Sequence, residues 1–320
     1  MSKGKIFITG ASGYIGTVVT EQALSQGYTV HGLSRNEAAD QKLKALGATP
    51  IRGDLTTLDV LRREASQADI VFHLAFIHDW NRDFAEIVSV DTEAMNAIGG
   101  ELKGTNKPFV ISSGSALAEP DPAGGETTEE GPVTTRMPFS LRAQSEKRAL
   151  ADWTKEGVGI ISVRLPPYVY GRGGSTFIPW LMQMALKNGE SLFVDEGTTR
   201  TSGVHVDDAA TLYLLIAEKL KAGEIKAGEI FNGTASTYPT VREMAEAIGA
   251  VLGVPTRSAT RKEVEEKWGA FLVSFVERTN MASNKKAREQ LGWQLYGAEM
   301  LVDIRSGSYV EIAKKLKEGV

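Results

Sequence analysis

Three glycines, Gly10, Gly13 and Gly16, stand in ITGASGYIG with the spacing Gly-x-x-Gly-x-x-Gly, between a short apolar run and an amphipathic one. That pattern suits a pyrophosphate. A turn without Cβ atoms lets the backbone reverse and approach the anion, and the helix behind it offers free N–H groups and a partial positive charge. Ser12, Tyr14 and Ile15, threaded among the glycines, belong to the same approach. At the end of the next strand, in GLSRN, a cofactor with a free ribose 2′-hydroxyl would meet Asp or Glu. Ser34 and Arg35 stand there instead and suit a 2′-phosphate by hydrogen bond and charge. The expected ligand is therefore NADP(H). GDL at 53–55 closes the third strand, where Asp54, followed by Leu55, either meets the adenine amino group or makes an ordinary strand-end turn.

The elements that must hold these residues are legible as alternating apolar and amphipathic runs. KIFITG, YTVHGLS, ATPIRGD, ADIVFHLA, PFVISSG and VGIISVRLPP read as strands rich in Ile, Val and Phe, each followed by a turn signal or polar cluster. Between the first two, Ile15, Val18, Val19 and Ala23 share one helical face, and Gly27 is placed to stop that helix. The alternation predicts a doubly wound α/β domain, a parallel sheet covered by helices on both faces, over residues 1–165. Residues 166–320 are expected to form mainly a smaller, mostly helical lobe, with segments of about 190–235 returning to the first domain. Within them, HVDDAATLYLLIAEKL predicts a helix with an Asp N-cap, and TVREMAEAIGAVLG one opened by Thr240 with Glu243 three positions on. Residues 119–136, rich in Pro, Gly and acid, read as a long surface loop of the kind that borders ligand sites.

Composition narrows the classes. The 320 residues carry a formal net charge of −4, which gives no global attraction to nucleic acid or anionic membrane. No apolar run approaches the roughly 20 residues of a membrane span. MSKGKIFITG enters a strand almost at once, so no signal peptide is expected and the cytosol is the default compartment. With no cysteine there are no disulfides, thiolate nucleophiles or Cys-zinc sites. Four scattered histidines make no case for a metal, and there is no Gly-x-Ser-x-Gly elbow.

Taken end to end, the chain resembles the extended short-chain dehydrogenase/reductases, the NAD-dependent epimerase/dehydratase family. TGASGYIG, GDL, HLAF, SSGS, RLPPYVYG, HVDDAA, EIFNG and REQLGW carry the resemblance. It implies a Rossmann domain with a C-terminal substrate lobe. It implies too that Ala75 and Phe76 pass the cofactor ribose, that Ser113 hydrogen-bonds the substrate oxygen, and that Pro166 to Val169 lie beside the nicotinamide amide. Members often dimerise through helices near 90–100 and 142–156, where Leu141, Leu150 and Trp153 could form an apolar seam; a monomer or homodimer is expected. Members that interconvert carbonyls and alcohols use Tyr-x-x-Ser-Lys, the tyrosine as proton donor and the lysine on the ribose. Here that frame reads Arg142-Ala143-Gln144-Ser145-Glu146, and an asparagine of the helix after the fourth strand is replaced near Asp91. The chain resembles an atypical branch in which Arg-x-x-Ser-Glu accompanies HLAF-x-His-Asp.

The substitution changes the chemistry. A guanidinium with a pKa above about 12 is no general acid near neutral pH, but it can hold a developing oxyanion by charge and two N–H bonds. Glu146, one turn on, either pairs with Arg142 or accepts bonds from the ribose hydroxyls, and a plain surface pair is the alternative. Another proton source is then needed. Tyr168 in PPYVYG is the first choice, Tyr170 being read as packing; His78, next to Asp79, is the second, either as proton shuttle or as loop anchor. Trp80 and Trp180 either line an apolar substrate pocket or fill the core between lobes, and His205 with Asp207 reads as structural. The expected activity is NADP(H)-dependent reduction of a carbonyl or enone on a small organic substrate. The alternatives are a non-redox lyase, isomerase or cyclase, and a nucleotide-sensing binding protein.

Overall fold

The computed structural model describes residues 2–79, 81–174 and 176–319. Its first half alternates strictly: β1 (Lys5–Thr9), α1 (Tyr14–Ser25), β2 (Thr29–Ser34), α2 (Glu37–Leu46), β3 (Thr49–Arg52), α3 (Leu58–Gln67), β4 (Ile70–His73), α4 (Phe84–Leu102), β5 (Pro108–Gly114), α5 (Phe139–Lys155) and β6 (Gly159–Leu165). The second half is irregular: β7 (Tyr168–Tyr170), α6 (Phe177–Asn188), β8 (Ser191–Val194), β9 (Gly203–His205), α7 (Val206–Lys221), β10 (Ile230–Asn232), α8 (Val241–Leu252) and β11 (Thr256–Ala259). Five helices end the chain: α9 (Arg261–Trp268), α10 (Ala270–Val276), α11 (Lys285–Leu291), α12 (Met300–Ser306) and α13 (Tyr309–Lys317).

Seven strands form one parallel sheet in the order β10-β6-β5-β4-β1-β2-β3. Both faces are covered, so its strands are apolar on both sides. On β1, Ile6 and Ile8 join Val18 of α1 and Ala209 and Ile216 of α7 in one core, while Phe7 joins Ala94 and Ile98 of α4 in the other. This is the doubly wound Rossmann architecture. The order reverses between β1 and β4, and the carboxyl ends of the strands at such a reversal are where sheets of this kind bind ligands.

A third core, built from Tyr168, Tyr170, Met182, Met244, Ile248, Leu272 and Tyr309, belongs to the helical C-terminal part. The two-stranded sheets β7–β9 and β8–β11 lie outside the main sheet, whereas β10 extends it at the edge beside β6. Thr240 and Glu243 close a reciprocal capping box at the start of α8. The cap of α7 differs from expectation. His205 is its N-cap, with Nδ1 accepting the Asp207 N–H, because the Asp207 carboxylate turns outward to bind Arg172. Of the residues expected to form an apolar seam on α5, Leu150 is buried, Trp153 is partly buried with its ring 2.6 Å from where a Cβ on Gly99 of α4 would lie, and Leu141 is partly exposed. Among the described residues no helix is long and apolar enough to cross a membrane.

Candidate active site at the carboxyl ends of the central strands

The turn after β1 is built for close approach. Gly10 has φ +74°, and a Cβ there would sit 2.8 Å from the Ala75 amide nitrogen; a Cβ on Gly16 would sit 2.1 Å from the Gly10 carbonyl oxygen. Gly13 caps α1 without any side-chain bond to the first turn, so the N–H groups of Tyr14, Ile15 and Gly16 have no intrahelical acceptor and are available to an anion. This turn, packed too closely on its own backbone to take a Cβ at Gly10 or Gly16, fits a dinucleotide pyrophosphate. The Tyr14 phenol donates to the Gly171 carbonyl at 2.7 Å and ties the cradle to the loop after β7, while Ile15 packs on the core. Ser34 is buried and donates to the Asn36 carbonyl at 3.1 Å; Arg35 is exposed at the same strand end. Lys42, which the motif did not signal, reaches from α2 to the Ser12 carbonyl at 2.9 Å and brings a second cation to this corner. Asp54 makes the strand-end turn: Oδ1 accepts from the Thr56 N–H and hydroxyl, bonds that hold its carboxyl below the usual range. Leu55 beside it is buried in the core. Pro166 is buried between β6 and β7, and Val169 packs in the core of the nucleotide side.

On β5, Ser113 is 7% exposed and its hydroxyl, buried, has no hydrogen-bond partner. A buried hydroxyl without a partner is costly and asks for one. The neighbouring residue receives Arg142: Nη2 donates to the Ser112 carbonyl at 3.2 Å, and the guanidinium lies over the Phe76 ring, 3.8 Å from its centroid. Burial pulls the Arg142 pKa down, while the nearby charge of Asp91 and Glu146 holds it up; it stays a fixed cation. His78 sits edge-on to Phe76, with ring centroids 5.5 Å apart. It keeps solvent access, yet desolvation of its ring and the Arg142 charge push its imidazole below 6.5.

Beneath these groups runs a relay that periodicity hid. His73, on β4, is 2% exposed and bridges Thr9 Oγ1 at 2.9 Å and Asp91 Oδ1 at 3.0 Å. Thr9 Oγ1 also accepts the Ala75 N–H at 3.2 Å, so its hydroxyl hydrogen is free to go to Nδ1, leaving Nε2–H to donate to Asp91. The relay joins α4 to the backbone at Ala75. The signal available was a histidine in the otherwise apolar strand core IVFH, where an unpaired imidazole is not tolerated.

Two expectations are corrected. Glu146 neither pairs with Arg142 nor faces a ribose: it is buried and accepts from Arg164 Nη2 at 2.6 Å, from Nε, and from the Ser162 hydroxyl at 2.6 Å. Its helical phase turns it onto β6, where it neutralises a buried guanidinium. Tyr168 does not stand free as a proton donor. Its ring lies in the third core, edge-on to Phe177 and Phe275, and burial pushes its phenol pKa up. Trp80 lies outside the described residues. A groove of about 670 Å³ opens beside α5, lined by Glu129, Lys147, Arg164 and Ile230; it includes neither the glycine loop nor Ser113.

The geometry is that of a nucleotide-dependent enzyme of the Rossmann class. Residues 6–232 match the NAD dependent epimerase/dehydratase family, and the chain belongs to it. A protein of Saccharomyces cerevisiae described as uncharacterized is 36% identical over 307 residues, 94% of this chain and 98% of its own length. The 4-hydroxy-2-methyl-3-oxo-4-farnesyl-3,4-dihydroquinoline-1-oxide ketoreductase of Stigmatella aurantiaca is 30% identical over 69% of this chain and 66% of its own. Among solved structures, UDP-glucuronic acid 4-epimerase from Bacillus cereus, in complex with UDP-glucuronic acid and NAD, shares the fold at a TM-score of 0.75 and 18% identity, covering 99% of this chain and 100% of that one.

Proposed function

We propose that this oxidoreductase is an NADP(H)-dependent reductase of a carbonyl, or an enone, on a small organic substrate. The observation that carries the reading is the unpartnered, buried Ser113 hydroxyl next to Ser112, whose carbonyl holds Arg142, with that guanidinium over Phe76, the neighbour of the Ala75 that packs on Gly10. The turn of Gly10, Gly13 and Gly16 would hold a nicotinamide dinucleotide, which would supply the hydride. The chain supplies the rest. Ser113 and Arg142 donate to the carbonyl oxygen as negative charge develops on it, and Phe76 keeps the guanidinium flat and in place. His78, next to Phe76 and open to water, delivers the proton to that oxygen, directly or through one water. The ketoreductase relative supports this direction of chemistry. Arg35 at the strand end and Lys42, bonded to the Ser12 carbonyl of the glycine turn, would take the 2′-phosphate.

The test is NADPH oxidation, followed by absorbance, across a broad carbonyl panel, with calorimetric titration of NADPH and NADH beside it. Tight NADPH binding without oxidation of any compound would overturn the reading. The second reading, a lyase or isomerase in which Arg142 stabilises an enolate, rests on Glu146 being committed to Arg164, which leaves the site without the usual lysine role. It predicts turnover with no net consumption of nucleotide.

A further inference from the structure

The eleven phenylalanines divide cleanly. Phe7, Phe72, Phe109, Phe193 and Phe231 are buried core residues. The other six are partly or openly exposed, and each of them falls in one of two ring clusters. Scattered rings of partial exposure would be ordinary; confinement of every incompletely buried phenylalanine to two clusters is not.

The first cluster belongs to the nucleotide side. Phe76, Phe84 and Phe139 follow one another with centroids 6.2 and 6.0 Å apart, and a guanidinium covers each end: Arg142 over Phe76 at 3.8 Å, Arg278 over Phe139 at 5.1 Å. The second belongs to the lobe. Phe275 and Phe177 stack at 3.8 Å and 12°, Trp180 lies 6.4 Å beyond Phe177, and Phe271, 39% exposed, lies 6.4 Å beyond Trp180, all nearly parallel.

Backbone contacts bring both clusters to the site. Arg278, whose amide bonds the Phe275 carbonyl at 3.3 Å, also donates to the Ala116 carbonyl, three residues beyond Ser113. At the other end, α6 starts at Phe177, just after Gly174, where a Cβ would strike the Tyr14 ring of the nucleotide cradle at 2.2 Å. The lobe rings are thus pinned at one end to the glycine turn and at the other to the end of β5.

We infer that the substrate is a planar aromatic carbonyl compound, its rings received by these two clusters and its oxygen by Ser113 and Arg142. Ring faces take flat π-systems by offset or edge contact, and binding sites for such ligands combine an aromatic lining with few convergent polar groups. The two guanidiniums complement an electron-rich carbonyl and conjugated ring. The inference rests on the proposed site but not on turnover.

The test is calorimetric titration of the protein, alone and saturated with NADP⁺, with methyl naphthyl ketone, methyl cyclohexyl ketone and UDP-glucose. The naphthyl compound is expected to bind roughly tenfold or more tightly than the cyclohexyl one. Phe271→Ala, which removes an exposed ring without opening the core, and Phe177→Leu should each shrink that preference several-fold. Binding with this preference but no NADPH oxidation supports the aromatic ligand and sinks the reductase reading. NADPH oxidation with the cyclohexyl ketone and no naphthyl preference does the reverse. Tighter binding of UDP-glucose, or variants that change the sedimenting mass and not the preference, would also overturn the inference.

Discussion

Two charged residues of α5, Arg142 and Glu146, lie one turn apart and have opposite fates. Glu146 is sealed: its oxygens accept from Ser162 and from Nε and Nη2 of Arg164, and both partners of the ion pair are 3% exposed or less. Arg142 is partly buried, held by a ring face and the Ser112 carbonyl, with donor capacity left over next to the unpartnered Ser113. The difference separates structure from chemistry. The Glu146 carboxylate, with both oxygens engaged inside the protein, holds the fold together, whereas Arg142 keeps donors that a ligand could use.

The sharpest way to break this comparison is to remove the sealed charge. Glu146→Ala strands a buried guanidinium and should cost about 3–5 kcal/mol of stability. Urea denaturation measures this. Because Nη1 of Arg164 already lacks a partner, no spare acceptor waits to take up the loss. A variant as stable as the parent but inactive would move Glu146 to the catalytic side and collapse the distinction.

Arg142→Ala should behave in the opposite way. Turnover is expected to fall roughly 10²–10³-fold, as for loss of an oxyanion donor. Stability should move by about 1 kcal/mol or less, since only a backbone bond and a ring contact are lost. Ser113→Ala sharpens the contrast further: activity drops by about ten- to a hundredfold while the melting temperature holds or rises, because a buried hydroxyl with no partner is removed. A marked loss of stability in Ser113→Ala would show that the hydroxyl is a structural member after all.

How much of this was legible depended on whether a residue answers to local pattern. The strands and the cradle did, since Ile6, Phe7 and Ile8 with Gly10, Gly13 and Gly16 carry their fold in residue type and spacing. Ser113 and Arg142 could be placed by resemblance, but not their unequal satisfaction. Glu146 was misread because the i,i+4 rule pairs it with Arg142, and only the phase of α5 over β6 reveals Arg164 eighteen positions away. Tyr168 was misread because alternation on β7 sends it into the lobe core while its neighbour Val169 enters the other. The Thr9–His73–Asp91 relay joins two parallel strands and a helix, and no local spacing encodes that meeting. Lys42 was invisible for the same reason: its partner, the Ser12 carbonyl, lies thirty positions away.

The smallest expected effect bears on the mobile half of the comparison, the proton. The His78 imidazole is held below 6.5 by desolvation and by Arg142. A depressed pKa means that the protonated, donating form gains population only as pH falls through a value under 6.5, so reductive turnover should rise several-fold towards that pH and flatten below it. His78→Gln should remove the inflection. The coupling gives an independent check that needs no turnover. In Arg142→Ala the electrostatic part of the depression disappears while desolvation remains, so the His78 pKa, followed by its imidazole proton resonances, should move upward but stop short of 6.5. An unmoved resonance would mean that Arg142 and His78 do not share a site, and the proton would have to come from elsewhere. An upward shift with an unaltered rate profile in His78→Gln would keep the pair together yet leave His78 a bystander, and solvent water at the same rim would then be the donor.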